Sequence, residues 1–209
     1  MSIWFWISVL AEIAILPLYF WSLEHTKLQQ KFGPEKGTKI GDSLGLISGW
    51  GFFIFLFGMW LSPQPRFVIP ILQDVLLVVP LINYAIPLLH LIIFVPIIII
   101  VLWISLKGVS EVTLKVAETH RAEKVITIGI YSIIRHPQNL GALLAHIGIS
   151  ILLSAWYSLL LTPLLLVYIY LISWKEEKEL VKEFGSDYEE YQKQVPMFIP
   201  RIKLRQMEK

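Results

Sequence analysis

The chain has no cysteine, and that one absence removes several chemistries at once. Disulfide bridges, thiolate metal sites, a cysteine nucleophile and S-acylation all need a sulfur that is not there. Charge is scarce as well: 16% of the 209 residues are charged, and the formal net charge is +2. No Arg-rich stripe and no interleaving of aromatic with basic residues suggests nucleic acid, so no nucleic-acid partner is expected. The five histidines (His25, His90, His120, His136, His146) fall at no metal-ligand spacing, so no metal site is expected either.

What the chain does have is apolar length. Hydrophobic residues make up 56% of it and collect in blocks of roughly the 17 to 25 residues that a ~30 Å hydrocarbon core demands. The blocks are 3–23, 44–61, 86–106 and a long stretch, 140–174. In lipid the backbone must satisfy its own hydrogen bonds, and blocks without period-two alternation do so only as helices. The expected fold class is therefore all-α: a polytopic membrane helix bundle of about five transmembrane helices with a C-terminal amphipathic helix. The first block lacks a basic leader and carries Glu12, so it reads as a retained helix rather than a signal peptide. As one helix, residues 140–174 would run about 52 Å, far more than a bilayer core needs. The stretch should fold back near residues 154–157, with Gly141 and Gly148 permitting close approach.

Basic residues test this assignment, because they favour cytoplasmic loops. Segment 24–43 holds four, segment 107–138 five and segment 175–209 eight, whereas segment 62–85 holds Arg66 alone. Five spans with the N-terminus outside thus place seventeen of the eighteen on one side, and the C-terminus and both polar motifs described below become cytoplasmic. Segment 67–82 is apolar but short, contains Gln73 and Asp74 and is bracketed by prolines, so it is expected as an outer-face interfacial or re-entrant helix within 62–85. The chain divides at residue 106 into three N-terminal spans and a C-terminal core, 107–209.

Two segments carry the polar groups. GIYSIIRHPQNLG, residues 129–141, concentrates Tyr131, Arg135, His136, Gln138 and Asn139 at the start of a membrane helix. Pro137 sets the helix entry and pushes His136 toward extended geometry, which makes a constrained turn. SWKEEKELVKEFGSDYEEYQKQVPMFIPR, residues 173–201, opens with the acidic pair Glu176 and Glu177 at the membrane boundary. Beyond it Leu180, Phe184, Tyr188, Tyr191 and Val195 recur at helical spacing, an apolar face that would lie on the membrane or on the preceding loop.

The RHPxxxG of residues 135–141, followed after a helical hairpin by EExxLxxxFGxxYxxYxxxVPxFIP at 176–200, strongly resembles the isoprenylcysteine carboxyl methyltransferases and related phospholipid N-methyltransferases. The likeness covers about residues 107–202. It implies an S-adenosylmethionine site between the pre-hairpin loop and the tail, with cofactor contacts at Glu123, Lys124, Val125 and Ile126, at Tyr131, at His136, Pro137, Gln138 and Asn139, and at Glu176 and Glu177. The cofactor's amino group calls for a carboxylate, either Glu176 or Glu177 with Glu177 favoured; its carboxylate calls for His or backbone donors, and its adenine for an apolar slot such as Val125 and Ile126 supply. Two positions depart from the family. Asn139 stands where the family usually has Tyr. The prenylcysteine enzymes carry an Arg for the acceptor carboxylate about one turn before the acidic pair, where this chain has Leu171, Ile172 and Ser173.

The implied reaction is methyl transfer to a lipophilic small-molecule or lipid-modified acceptor, or to a membrane lipid, through an amine or a carboxylate. Arg135 is the candidate to orient an anionic part of acceptor or cofactor, and His136 a cofactor ligand and proton acceptor. Glu12, His90 and His146 are ionisable groups at membrane depth, either functional or hydrogen-bonded structural pairs. The competing readings are an NADPH-dependent sterol-type reductase, which shares an RHPxYxG segment, and a non-enzymatic membrane scaffold.

Overall fold

The computed structural model describes residues 2–81, 83–112 and 124–201. It is a helical bundle of α1 (Ile3–Leu23), α2 (His25–Phe32), α3 (Pro34–Leu61), α4 (Leu88–Val112), α5 (Pro137–Leu152), α6 (Trp156–Leu160), α7 (Thr162–Phe184) and α8 (Ser186–Gln194), with a short 3-10 turn at Gly129–Ser132. Three of these, α1, α3 and α4, are long and apolar enough to cross a membrane. The all-α membrane bundle is thus present, and the chain is a membrane protein. Its α3 begins ten residues before the apolar block, because Pro34 at the first turn starts a helix that polar residues then continue.

The long stretch folds back as expected. Helix α5 ends at Leu152, Ser154 adopts a left-handed φ of 53°, and the chain returns through α6 into α7. Gly141 and Gly148 mark where α5 meets α4: a methyl group on Gly141 would stand 2.8 Å from Ser105 Oγ, and one on Gly148 2.9 Å from Ile97 Cγ2. Only hydrogen fits at such separations, and the helices gain close van der Waals contact in return.

One expectation fails. Residues 67–82 form no helix among the described residues; turns lead into an antiparallel hairpin of β1 (Leu76–Val79) and β2 (Tyr84–Pro87). The prolines that bracket the segment prevent a helix from propagating, while the run from Val75 to Val79 is β-branched and leucine-rich, which suits a strand. Strand pairing then satisfies backbone groups that helix would have satisfied.

This segment is tied to the α5–α7 turn. Phe67 N–H donates to Ser154 O at 3.2 Å, Trp156 N–H to Pro65 O at 3.2 Å, and the Tyr84 hydroxyl to Leu153 O at 2.6 Å. His90 joins in, accepting from Ile69 N–H at 3.3 Å and lying 3.0 Å from Ser154 Oγ. His146 is spanned likewise, with Trp60 Nε1–H donating to its Nδ1 at 3.2 Å and its Nε2 2.9 Å from Ser158 O. Both membrane histidines are therefore structural, and Glu12 pairs with neither. The consequence for the site is sidedness. Arg66 lies at the turn end of the bundle beside Ala155, while the C-terminal ends of α1, α4 and α7 meet the start of α5 at the other.

Replacing His146 with Leu strands the Trp60 N–H and the Ser158 carbonyl in an apolar interior, at about 1 to 3 kcal/mol for each orphaned group. Thermal unfolding in detergent should show the corresponding drop for His146→Leu, with affinity for any ligand at the α5 start unchanged.

Candidate functional site

The site forms where two segments far apart in sequence are stitched together. Arg135 N–H donates to Pro196 O at 3.0 Å and His136 N–H to Met197 O at 3.2 Å, so the turn before α5 pairs its backbone with the VPMF stretch of the tail. The Tyr191 hydroxyl donates to Tyr131 O at 2.6 Å. Leu180, Val181, Phe184, Tyr188, Tyr191 and Val195 cluster with Val125 of the loop, so the amphipathic face of the tail covers the loop. Gly185, at φ 57°, breaks α7 from α8 and bends the tail into this position.

The turn itself is built around Glu111, a residue the sequence reading passed over. Its carboxylate accepts from Ile130 N–H at 3.0 Å and caps the 3-10 turn. Gly129 makes room: at φ 58°, a methyl there would lie 1.8 Å from Glu111 Oε1.

At the junction sits a buried ionic network. Glu177 Oε1 accepts from Arg135 Nε–H at 2.7 Å and lies 2.9 Å from His136 Nε2. Its Oε2 accepts from Arg135 Nη2–H at 3.1 Å and Gln192 Nε2–H at 2.7 Å. Arg135 Nη1 reaches the carbonyls of Gln192 and Val195 as well. The side chains of Arg135 and Glu177 are only 9% and 8% exposed, and the pair is bidentate, which suits burial. Of the five N–H donors of a guanidinium, four are thus committed to protein groups.

His136 stands between the two acids, with Nδ1 3.5 Å from Glu176 Oε2 and Nε2 toward Glu177. Burial alone would lower its pKa below the ordinary 6.5, but the Glu176 and Glu177 carboxylates outweigh it and hold the pKa at about 9. Burial alone would raise Glu177, yet His136 and Arg135 hold it down at about 2. With its pKa held at about 9, the His136 ring favours the imidazolium form at neutral pH, a donor at both nitrogens.

A cleft opens beside this network. Of the residues expected at the cofactor, Lys124, Val125, Ile126, Tyr131, His136, Pro137, Gln138, Asn139 and Glu176 line it, and so does Arg135. Glu177 does not: it is turned into the network, and Glu176 is the acid at the cleft. Glu123 lies outside the described residues. Tyr19 and Val112, from the first and third spans, also line the cleft, together with Leu180, Tyr188 and Tyr191. The tail tyrosines belong to the apolar stripe visible in the sequence; nothing in the local sequence around Tyr19 singles it out. Burial pushes Tyr131 up, and the Glu176 charge adds to this, so its hydroxyl stays protonated. The two departures from the family meet: Asn139 Nδ2–H donates to Ser173 Oγ at 2.8 Å, closing off the position between α5 and α7.

Residues 89–187 match the model of the phospholipid methyltransferase family. Among characterised proteins the chain is similar to the protein-S-isoprenylcysteine O-methyltransferase of Schizosaccharomyces pombe, with 38% identity over 37% of this chain and 34% of that protein. The Xenopus laevis protein of the same name is 36% identical over 44% of this chain and 32% of its own length. Methanethiol S-methyltransferase 2 of Bradyrhizobium diazoefficiens is 37% identical over 35% and 27%. The chain thus spans about a third of the length of these relatives. No solved structure matches it significantly.

The two pKa displacements fix a pH profile for stability. The contribution of His136, whose pKa is raised, is fully present below 6.5 and is lost as pH rises through about 9. That of Glu177, whose pKa is lowered, is present above 4.5 and is lost as pH falls through about 2. Stability should therefore be highest between the two ordinary values and fall on the alkaline side by on the order of 3 kcal/mol, read as a falling unfolding temperature. In His136→Gln that alkaline decline should vanish; a decline that persists unchanged assigns it to another group.

Proposed function

We propose that this chain, whose residues 89–187 fall in the phospholipid methyltransferase family, transfers a methyl group from S-adenosylmethionine to a lipophilic acceptor. The observation that carries the reading is the charge layout of the cleft. An imidazolium (His136) and a carboxylate (Glu176) stand side by side at one wall, and apolar Val125, Ile126 and Leu180 line it as well. A zwitterionic amino-acid end with an adenine at the other complements that layout in sign and polarity.

When bound, S-adenosylmethionine supplies an electrophilic methyl on a sulfonium. Each residue of this chain then has a defined task. Glu176 accepts from the cofactor's α-amino group, and His136 donates to its carboxylate. Val125 and Ile126 receive the adenine, with Lys124, Pro137, Gln138 and Asn139 completing the walls and Tyr131 supplying a neutral hydroxyl. Arg135 and Glu177 hold the loop and tail in register and make His136 cationic; they are positioning residues. In-line displacement needs alignment at about 3 Å and exclusion of water, and a pre-assembled cleft at the end of a membrane bundle supports that reading. The distribution of basic residues along the sequence, seventeen of the eighteen outside segment 62–85, supports a cytoplasmic cleft with the N-terminus outside.

The acceptor is lipophilic because the chain brings it to a membrane bundle, and its reacting atom is an amine or another neutral nucleophile rather than a carboxylate. Arg135 is spent on Glu177 and the tail carbonyls, and the Asn139–Ser173 pair fills the place where a cation would meet an anionic acceptor.

Calorimetry in nanodiscs tests the reading. S-adenosylmethionine should bind and NADPH should not. Glu176→Gln should weaken the cofactor about 10- to 100-fold, the worth of one charge-assisted hydrogen bond, with a smaller fall in unfolding temperature than Glu177→Gln causes. Glu177→Gln should behave oppositely in kind, lowering the unfolding temperature because it strands a buried guanidinium, a loss of about 3 to 5 kcal/mol. Binding of NADPH alone, or cofactor affinity indifferent to Glu176→Gln, contradicts the assignment.

A further inference from the structure

Glu12 is used by nothing described so far. It lies near the middle of α1, in the first membrane span, with 5% of its surface exposed. Neither carboxylate oxygen has a hydrogen-bond partner. His146, which lines the same slot, is committed to Trp60 and Ser158. An uncompensated carboxylate at membrane depth costs several kcal/mol and persists for a reason.

The carboxyl group borders a slot between α1, α3, α5 and α7, walled mostly by apolar groups such as Leu16, Leu165 and Leu171, with His146 and Tyr168 also on its lining. This slot and the cofactor cleft share a stripe of α1: Glu12 and Leu16 line the slot, Tyr19 the cleft, at positions i, i+4 and i+7. On α7 the same succession appears, with Tyr168 and Leu171 in the slot and Glu176 in the cleft. At about 1.5 Å per residue, the two voids are stacked roughly 10 to 12 Å apart along the bundle.

We propose that the Glu12 slot is a subsite for the lipophilic acceptor and that Glu12 binds a protonated amine on the acceptor's apolar body, about 10 Å from the atom to be methylated. A carboxyl without a partner in an apolar slot keeps its proton; an amine can take that proton and leave a charge-balanced ammonium–carboxylate pair, whereas a hydroxyl offers only a hydrogen bond. The mostly apolar walls favour an apolar chain or ring over a highly polar ligand. As an acceptor subsite the slot rests on the methyltransferase reading.

The test uses the full chain in nanodiscs, with dodecylamine and 1-dodecanol as probes and thermal stabilisation as the readout, for wild type, Glu12→Gln and Glu12→Leu. S-adenosylmethionine affinity is measured by calorimetry on the same samples. Both variants should fold and bind S-adenosylmethionine as wild type does, since Glu12 has no partner to lose. Dodecylamine should stabilise wild type at a concentration at least ten-fold lower than either variant requires, and dodecanol should not distinguish the three. Equal response of all three proteins to dodecylamine overturns the proposal, as does dodecanol matching dodecylamine on wild type. S-adenosylmethionine binding that persists alongside either result leaves the methyltransferase reading standing. Its absence from wild type overturns that reading, and with it the acceptor role of the slot.

Discussion

The arrangement of the polar end depends on one buried ionic contact, Arg135 to Glu177, with His136 as its third member. Forty-two residues and a helical hairpin separate the two partners. Their pairing brings the pre-hairpin turn against the tail and gives Glu177 four donors, so neither charge is left alone in a dry interior. Such a network earns little net stability against an apolar replacement, but loss of one partner is costly. Its value here is registration. The backbone pairs Arg135–Pro196 and His136–Met197 lie beside it and hold the two segments in the same register.

That registration divides the labour of an acidic pair that looks redundant in the sequence. Adjacent residues on a helix point about 100° apart, so one carboxylate can enter the network while the other faces the cleft. Glu177 does the first and Glu176 the second. His136 couples them: held cationic by both, it presents a fixed positive group beside a negative one. The cleft is therefore polarised before any ligand arrives, which lowers the reorganisation needed on binding.

Much of this was legible beforehand, for identifiable reasons. Block length and the seventeen-to-one distribution of basic residues specified the bundle and the shared end of loop and tail, because lipid leaves the backbone few options. The fold-back near Ser154 followed from a stretch too long for one crossing. The residues from Lys124 to Ile126 and from Arg135 to Asn139 were grouped by their motif, and all of them line one cleft. The rest required three-dimensional information. The choice between Glu176 and Glu177 depends on the rotation of α7. The duty of Arg135 depends on where the tail returns, and its saturation by Glu177, Gln192 and Val195 is invisible in a linear string. The β-hairpin at Leu76–Pro87 was mistaken for a helix because short apolar runs carry no decisive period. Tyr19 reaches the cleft only through the packing of α1 on α7.

The central claim is that the polarised cleft positions a methyl donor for a lipid-soluble acceptor. It is tested most directly by incubating the full chain, in membranes, with S-adenosylmethionine bearing a trideuterated methyl group and analysing the organic extract by mass spectrometry. The account predicts a lipid-soluble product that gains one labelled methyl and that is lost with Glu176→Gln. An extract with no labelled methyl, from a protein that instead transfers deuteride from labelled NADPH, would contradict it.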